Sequence, residues 1–362
     1  MKIFLLVTKS ETVLNFRQNL IRHLLQKGYS VTVIAYDEEY HQEVESLGAT
    51  FYCVPQENRW LNPFAILQYT ARVSKILKQE KPKAVMTFQL KPNTFGVLAA
   101  KAAGVHRIYS MVEGAGDVFI LNSLKWKLIR MVTCWLYRMA FCHVQRVVFL
   151  NEDDKQEFIK RQLATEEKCV LIPGVGVDLE HFSYCPIKYD RRFLMVARML
   201  KTKGVEDYCK CARLVRQTYP DAEFFYLGAE GTVTLDDIRE YLEDGSIRYL
   251  GTTRDVRPYL YDCTCILLPS LREGMPMAVM EAQAVGRCAI VTDAIGCKNA
   301  IQADETGFLV PVGDYHTMAE KCIFLIQNSE VAEAMGIAAR RYAEANFDQE
   351  AINDYLEGKC AL

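Results

Sequence analysis

The stretch Cys265-Ile-Leu-Leu-Pro-Ser-Leu-Arg-Glu-Gly-Met-Pro-Met-Ala-Val-Met-Glu281 shows in one place the pattern that decides the fold. Its apolar start is typical of a buried strand, and the residues that follow predict a turn and then a helix. Pro276 stands in the first turn of that helix, where proline is tolerated. Strands that alternate with helices form parallel sheets covered on both faces, so this stretch indicates an α/β protein.

The same alternation continues on both sides of this stretch and falls into two series. The first series predicts strands at 3–7, 30–35, 50–54, 84–87, 107–111 and 147–150. The second series predicts strands at 193–197, 223–227, 248–250, 265–269 and 289–292. The intervening helices carry end signals, such as the glycine at 28 after the helix 13–27 and the Asn-Pro pair at 62–63.

The break between the two series, near Cys185-Pro186, predicts two domains, and 362 residues are enough for both. We expect the first domain at 1–185 and the second at 186–344. The last segment, about 345–362, predicts a helix that either closes the second domain or crosses back onto the first.

The net charge of −2 hides an unequal distribution of charge along the chain. The first 180 residues carry 23 basic side chains against 18 acidic ones, and the remainder carry 20 against 27. The basic excess is strongest within 91–147. It indicates an anionic partner of the first domain, either phosphate groups or a membrane surface, and we predict no nucleic-acid partner.

The thirteen cysteines and the apolar segments bear on the compartment of the protein. No CxxC pair or Cys/His cluster has the spacing of a zinc site, which favours a reduced cytosolic protein. The first eight residues predict a strand and not a signal peptide, and no apolar run is long enough to cross a membrane. We therefore predict a cytoplasmic protein, peripheral on the inner face of the cell membrane.

Two segments of the second domain carry residues suited to an anionic, hydroxyl-rich ligand. In the first, Glu273 and Glu281 flank backbone N–H groups at Gly274 and Met275, beside the positive end of a helix. One carboxylate can face a sugar while the other accepts from a vicinal diol. The alternative is a pair of ordinary surface glutamates.

The second segment places two cations after the predicted strand 193–197. Arg198 and Lys203 follow the carboxyl end of this strand, where parallel sheets bind ligands. They can neutralise a diphosphate leaving group without a metal ion. The alternative is a solvated basic turn.

These segments belong to a longer series of motifs that resembles the family 4 retaining glycosyltransferases. The motifs are Pro173-Gly-Val-Gly-Val-Asp178, Arg198…Lys203-Gly204, Tyr249-Leu-Gly251, Leu268-Pro-Ser270, Glu273-Gly…Glu281 and Thr306-Gly307-Phe308. In the first domain, Asn15-Phe16-Arg17 and the stretches 91–96 and 112–116 are similar to the branch that assembles capsular polysaccharides and lipid-linked oligosaccharides. The resemblance implies the GT-B fold, in which two Rossmann-like domains with parallel sheets face each other across a cleft.

The resemblance also implies the reaction and the roles of individual residues. A hexose or an N-acetylhexosamine moves from a UDP-sugar to a lipid-diphosphate-linked saccharide, with no metal and no cofactor. The catalytic residues would be Arg198, Lys203, Glu113 and Glu273. Glu281 would bind the ribose, and the other donor contacts would be Gly274, Met275, Pro276, Gly228 and Thr253. The acceptor would meet Lys91, Asn93, Thr94, Asn15, Gly114 and Gly116.

The chain departs from the family pattern at two places in the first domain. The loop 8–12 lacks the usual glycine pair that lets phosphates approach, and Glu113 stands where many members have a histidine. The Glu113 carboxylate could bond a sugar hydroxyl, stabilise positive charge at the anomeric carbon, or cap the turn that follows it. Lys91, beside a predicted helix start, would attract an acceptor diphosphate, or it is a plain exposed lysine.

The stretch 124–138 predicts an amphipathic helix with basic residues along its apolar stripe. Leu124, Leu128, Met131, Val132, Trp135 and Met139 follow helical spacing, and Lys125, Lys127, Arg130 and Arg138 flank them. Such a helix either lies on an anionic bilayer or packs its stripe into the core. Both arrangements hold together if the stripe packs inward while Trp126 and the lysines meet lipid.

Three other functions share parts of this pattern. A nicotinamide-dependent dehydrogenase would have GxGxxG after the first strand, where this chain has Lys9-Ser10-Glu11. A non-catalytic binding protein would be expected to lack Arg198, Lys203 or Glu281, all of which are present. A glycosyltransferase of the same fold with a soluble acceptor remains an alternative.

Overall fold

The computed structural model describes residues 1–56, 62–119, 123–188 and 191–360, except for the side chain of residue 117. The chain forms two compact units, the first made of Met1–Val175 with Glu350–Leu362 and the second of Gly176–Gln349. The boundary between the two units therefore follows Val175, whereas the boundary predicted from the sequence lies at 185.

A parallel sheet of seven strands forms the centre of the first unit, in the order β3-β2-β1-β4-β5-β6-β7. Its strands are β1 (Lys2–Leu6), β2 (Ser30–Ala35), β3 (Thr50–Cys53), β4 (Ala84–Phe88), β5 (Arg107–Val112), β6 (Arg146–Phe149) and β7 (Cys169–Leu171). The side chains of the five central strands are mostly buried, as expected for strands covered by helices on both faces, whereas those of the edge strands β3 and β7 are mostly not.

In the described part of the first unit, seven α-helices connect the strands of this sheet. They are α1 (Glu11–Phe16), α2 (Gln18–Gln26), α3 (His41–Ser46), α4 (Pro63–Glu80), α5 (Val97–Ala102), α6 (Leu124–Phe141) and α7 (Glu152–Lys160). A π-helical turn at Pro92–Gly96 leads into α5. The predicted start of α4 is confirmed, because the Asn62 side chain accepts from the N–H groups of Phe64 and Ala65.

The helix predicted at 13–27 is wrong in one respect, since the structure interrupts it at Arg17. There α1 ends and α2 begins, with φ of −134° at the junction. The Arg17 guanidinium donates to the carbonyl of Thr12 at 2.7 Å, and the side chain is buried. The break follows from a buried cation that the helical spacing of apolar residues does not reveal.

A second parallel sheet, of six strands, forms the centre of the second unit in the order β10-β9-β8-β11-β12-β13. Its strands are β8 (Arg192–Val196), β9 (Glu223–Leu227), β10 (Arg248–Tyr249), β11 (Cys265–Leu268), β12 (Cys288–Thr292) and β13 (Gly307–Val310). The helices are α8 (Val205–Thr218), α9 (Arg239–Glu243), α10 (Arg257–Tyr261), α11 (Met277–Ala284), α12 (Tyr315–Gln327) and α13 (Ser329–Asn346).

The C-terminal helix α14 (Gln349–Cys360) packs almost wholly with the first unit. Glu357 accepts from the Tyr29 hydroxyl at 2.9 Å and lies 3.0 Å from the ring of His23. Asp354 pairs with Lys27 at 3.0 Å. Polar contacts to the end of α2 and the residues after it thus hold this helix.

Both sheets contain a point where the strand order reverses. In the first sheet it lies between β1 and β4, and in the second between β8 and β11. Loops that leave neighbouring strands at such a point turn in opposite directions and open a crevice for ligands. None of the thirteen cysteines, all in described parts of the chain, is in a disulfide. No helix of the described residues is long and apolar enough to span a membrane.

Candidate active site

The crevice of the second sheet brings together the two segments that the sequence analysis singled out. The ammonium group of Lys203, after β8, lies 2.5 Å from a carboxylate oxygen of Glu273, after β11. The two loops are also joined through their main chains, because the N–H of Leu271 donates to the carbonyl of Thr202 at 2.8 Å. The pair is therefore built into the loop structure at the reversal point.

Arg198 lies at the start of the same loop, and its side chain is exposed. Among the described residues, no carboxylate lies within ion-pair distance of its guanidinium. The main chain around it is fixed, since the N–H of Met199 donates to the carbonyl of Ala229 at 2.8 Å. This arrangement leaves a positive charge available to an anion from solvent.

Gly228 lets the loop after β9 approach the end of β8 closely. Its φ is +157°, and a Cβ at this position would stand 1.8 Å from the carbonyl oxygen of Ala197. Its N–H donates to the carbonyl of Gly251 at 2.8 Å. Only glycine fits between these strand ends. Thr253, after Gly251, uses its hydroxyl to accept from the N–H of Asp255 at 3.1 Å within its own turn.

Glu281 is the fifth residue of α11, and its side chain is only partly accessible. Burial raises the pKa of its carboxyl to about 8. In the absence of a ligand, the protonated form therefore dominates at neutral pH. A ligand that donates hydrogen bonds to this carboxyl would stabilise the ionised form.

The residues between the two glutamates form the entry to α11. Pro276 is the N-cap residue, with an extended backbone, and it is buried. The N–H of Glu273 donates to the carbonyl of Ile295 at 2.9 Å, which fixes the start of the loop. Gly274 and Met275 are partly accessible at this helix start.

In the first sheet, Glu113 follows β5 and has two partners that the sequence analysis did not identify. Its carboxylate accepts from the Gln89 side-chain amide at 2.7 Å and forms an ion pair with Arg17. The Gln89 side-chain oxygen accepts in turn from the N–H of Thr8 at 3.1 Å. This network crosses the reversal point between β1 and β4.

Arg17 is the buried member of this network, at 1% exposure. Its guanidinium lies over the ring of Phe88, 4.2 Å from the centroid. Burial lowers the pKa of Arg17, and the neighbouring Glu113 carboxylate acts in the opposite direction. Gln89 has φ of +61°, a strained conformation for a residue other than glycine, which is common at functional sites. The sequence signal that could have identified Gln89 is a polar residue directly after a strand.

The predicted acceptor residues fall into two groups. Asn93 and Thr94 are buried and bonded within the fold: the Asn93 amide donates to the carbonyl of Met111 at 2.8 Å, and the Thr94 hydroxyl to that of Leu90 at 2.9 Å. These two side chains therefore brace the fold.

The second group is accessible to some degree. Burial lowers the pKa of Lys91, whose ammonium lies 5.9 Å from the ring centroid of Tyr36. Asn15 is exposed on α1. Gly114 and Gly116 both have positive φ, in the turn after Glu113.

The apolar stripe of α6 faces outward, so of the arrangements left open by the sequence, those that pack the stripe into the core are wrong. The opposite face of the helix is the buried one, formed by Thr133, Cys134, Tyr137, Ala140 and Phe141. Leu124 is 84% exposed and Trp135 is 55% exposed, and Leu128, Met131, Val132 and Met139 are also exposed.

Two family models match the chain, one in each unit. The model described as "Glycosyl transferase 4-like domain" matches residues 14–174, and the one described as "Glycosyl transferases group 1" matches residues 190–328. The chain belongs to the family 4 retaining glycosyltransferases, which have the GT-B fold.

Two curated relatives and one solved structure are similar over most of their length. The N,N'-diacetylbacillosaminyl-diphospho-undecaprenol alpha-1,3-N-acetylgalactosaminyltransferase of Campylobacter jejuni is 29% identical and matches over 91% of both chains. The UDP-Gal:alpha-D-GlcNAc-diphosphoundecaprenol alpha-1,3-galactosyltransferase of Escherichia coli is 31% identical over 66% of this chain and 65% of its own. The Anabaena HepE protein in complex with UDP and glucose superposes with a TM-score of 0.84 at 15% identity, covering 100% of this chain and 99% of that one. This last likeness concerns the fold, and the predicted fold class is confirmed.

Proposed function

We propose that this enzyme transfers a hexose or an N-acetylhexosamine from a UDP-sugar to a saccharide carried on a lipid diphosphate, with retention at the anomeric carbon. The observation that carries the proposal is the Lys203–Glu273 pair, at the point where the second sheet reverses its strand order. A cation for the departing diphosphate and an acceptor for a sugar hydroxyl stand there side by side.

The relatives support the same class of substrates. By name, the C. jejuni protein transfers N-acetylgalactosamine and the E. coli protein galactose, and the acceptor of each is a saccharide on undecaprenyl diphosphate. The similarity to the first extends over 91% of this chain, which favours a lipid-linked acceptor over a soluble one.

In the proposed reaction, Lys203 and Arg198 bind the diphosphate of the donor. As the bond between the sugar and the diphosphate breaks, negative charge grows on the leaving oxygen, and fixed cations stabilise it. In the free enzyme, Glu273 holds the Lys203 ammonium in place. The side chain of Arg198 is exposed, so its guanidinium can bind the second phosphate of the donor.

Glu281 and Glu273 orient the two ends of the donor. Glu281 accepts from the ribose hydroxyls, and the ionised carboxylate suits this role because both oxygens can accept. Glu273, with the main chain at 274–276, contacts the transferred sugar. Gly228 follows β9 and Thr253 follows β10, and their small size leaves room for the nucleotide.

Glu113, a residue of the first unit, is proposed to be catalytic. Arg17 and Gln89 hold its carboxylate from two sides, which restricts its orientation. A fixed carboxylate stabilises positive charge at the anomeric carbon or accepts from a sugar hydroxyl. Lys91, Asn15 and the turn at Gly114 and Gly116 are proposed to meet the acceptor.

We further propose that the enzyme is peripheral on the inner face of the cell membrane. A lipid-linked acceptor stays in the bilayer, so the enzyme must come to it. The exposed apolar face of α6, flanked by Lys125, Lys127, Arg130 and Arg138, suits a helix that lies in the plane of an anionic bilayer.

The decisive experiment incubates the enzyme with each of four donors: UDP-N-acetylgalactosamine, UDP-galactose, UDP-N-acetylglucosamine and UDP-glucose. The acceptor is N-acetylglucosamine or diacetylbacillosamine on a polyprenyl diphosphate, and the same saccharide without lipid serves as the soluble comparison. Mass spectrometry should find one added sugar on the lipid-linked acceptor. Transfer to the soluble saccharide alone, or to none, would overturn the proposal. Lys203→Ala is the control for contaminating activity.

A further inference from the structure

A groove of about 610 Å³ lies in the first unit, between α6 and the C-terminal end of α7. Five cationic side chains line it: Lys127, Arg130, Arg138, Lys160 and Arg161. The rest of the described lining is formed by Met131, Cys134 and Gln162, so no carboxylate belongs to it. Positive charges gathered on one concave surface create a potential that attracts an anion with several oxygen atoms.

Hydrogen bonds to the main chain fix two of these cations against the wall of the groove. Arg138 donates to the carbonyl of Arg161 at 2.7 Å, and Arg130 donates to that of Val118 at the same distance. A carbonyl acceptor orients a guanidinium but leaves its formal charge in place. These side chains are therefore partly positioned before any anion arrives, which lowers the entropy lost on binding.

Of the other three cations, one has a carboxylate partner in the described part of the chain. Arg161 pairs with Glu157 at 2.6 Å, whereas in the described part of the chain no carboxylate pairs with Lys127 or Lys160. Three carbonyl groups at the end of α7 accept from N–H groups of the chain, as that of Phe158 does from Leu163 at 2.9 Å, which reduces but does not remove the partial negative charge of this helix end.

The border of the groove is apolar on one side. Met131 lines the groove and also belongs to the exposed face of α6, together with Leu128 and Trp135. A free phosphate or a nucleotide would use the cations but not this border. A ligand with a phosphate at one end and hydrocarbon at the other would use both.

We propose that this groove binds the phosphate group of an anionic membrane lipid. The inference rests on the membrane association proposed above and adds a discrete site to it. Lys160 and Arg161 lie outside α6, so a flat contact between α6 and the bilayer would not need them. They separate a lipid-phosphate site from general attraction to the surface.

The test measures binding to phosphatidylcholine vesicles with and without phosphatidic acid, in saturating UDP so that the donor site is occupied. Lys160→Ala/Arg161→Ala should weaken binding to the phosphatidic acid vesicles on the order of tenfold. The matched control, Arg22→Ala/Lys359→Ala, removes the same charge at exposed positions outside the groove and should change binding less than about twofold. Inorganic pyrophosphate, added at constant ionic strength, should compete with the vesicles for the wild-type enzyme.

Each other outcome contradicts the inference in its own way. Equal losses in both double variants indicate general electrostatics, and no loss in Lys160→Ala/Arg161→Ala removes the site. Pyrophosphate binding that depends on Lys160 but leaves vesicle binding unchanged indicates a site for free phosphate. Lys160→Ala alone repeats the test with the Arg161–Glu157 pair intact, in case loss of that pair unfolds α7. Transfer to a water-soluble lipid-diphosphate analogue, assayed in parallel, tests the proposed reaction independently of the membrane.

Discussion

Gly204 lies directly against the carbonyl group of Pro269: a Cβ on Gly204 would stand 2.1 Å from that oxygen. Gly204 follows Lys203, and Pro269 follows β11. The contact brings the loops after β8 and β11 together, which is why a lysine and a glutamate seventy residues apart can pair.

Gly204→Ala should therefore lower both stability and activity. Alanine would meet a backbone oxygen that cannot move aside, and φ of +70° adds strain, so we expect a loss of about 2–4 kcal/mol in the free energy of unfolding. Gly313→Ala is the matched control, with φ of +79° and no atom within 4 Å of the added Cβ. Chemical denaturation of both variants measures the difference. Equal losses would mean that strain alone acts at Gly204.

Lys203→Ala and Arg198→Ala should each reduce turnover on the order of a hundredfold, because each variant loses a fixed positive charge that stabilises the leaving diphosphate. The fold should survive, since both side chains reach solvent. Lys201→Ala, in the same loop, removes an exposed charge and should retain most activity. The measurement is the rate of UDP release under saturating donor and acceptor. Near-normal turnover of either variant would place the diphosphate elsewhere.

The fold could be predicted from the sequence further than the site could. Of the thirteen strands in the described residues, eleven were predicted from apolar runs. The strands β7 and β13 were not predicted, although residues 169–172 and 308–310 are apolar, because such short runs also occur outside strands. Lys203 and Glu273 were identified because each follows a strand. The ties of Glu113 to Gln89 and Arg17 join three separate segments, and no local pattern reveals such contacts.

The same limit applies to α6. The spacing of Leu128 and Trp135 identifies an apolar face, but periodicity alone cannot tell which face the rest of the fold covers. The face of Tyr137 and Phe141 takes the core position because the Tyr137 ring packs edge-to-face with Phe158 and the Phe141 ring stacks with it. The other apolar face is then left exposed.

Arg17→Met should lower kcat about tenfold or more while the KM for the donor changes little, because the Glu113 carboxylate loses the partner that orients it. Arg17→Lys should recover part of the rate. Steady-state kinetics of both variants, with Glu113→Gln and the double variant, form a cycle. If Arg17→Met and Glu113→Gln act additively, Arg17 serves stability alone and does not position Glu113.

Glu281→Gln should change how stability depends on pH. The pKa of the Glu281 carboxyl is raised from 4.5 to about 8, so between these values the native chain holds a proton that the unfolded chain has released. The native state therefore loses stability as pH rises through this interval, and Glu281→Gln should lose less. Denaturation of the ligand-free wild type and variant at several pH values measures how the free energy of unfolding of each depends on pH. Parallel pH profiles would mean that Glu281 titrates normally.

Donor affinity offers a second measurement on the same residue. Because a ribose diol donates to the ionised carboxylate, UDP-sugar affinity of the wild type should rise toward pH 8, whereas Glu281→Gln should bind weakly at every pH. An unchanged donor affinity in the variant would make this glutamate a structural residue of α11.

Leu128→Ser/Trp135→Ser should release the enzyme from anionic vesicles while leaving the basic groove intact. Burial of one such side chain contributes about 1.5–3 kcal/mol, so the loss of two predicts weakening of about a hundredfold or more. Ile337→Ser/Tyr355→Ser removes comparable exposed apolar surface elsewhere and is the control. Co-sedimentation with phosphatidylglycerol vesicles measures binding, and at high salt the wild type should bind less, because the basic residues are screened. If the wild type stays in the supernatant at low salt, or if both double variants sediment equally, α6 does not rest on the bilayer. Retained transfer to a short-chain acceptor in detergent would then show that the reaction itself does not need the docked helix.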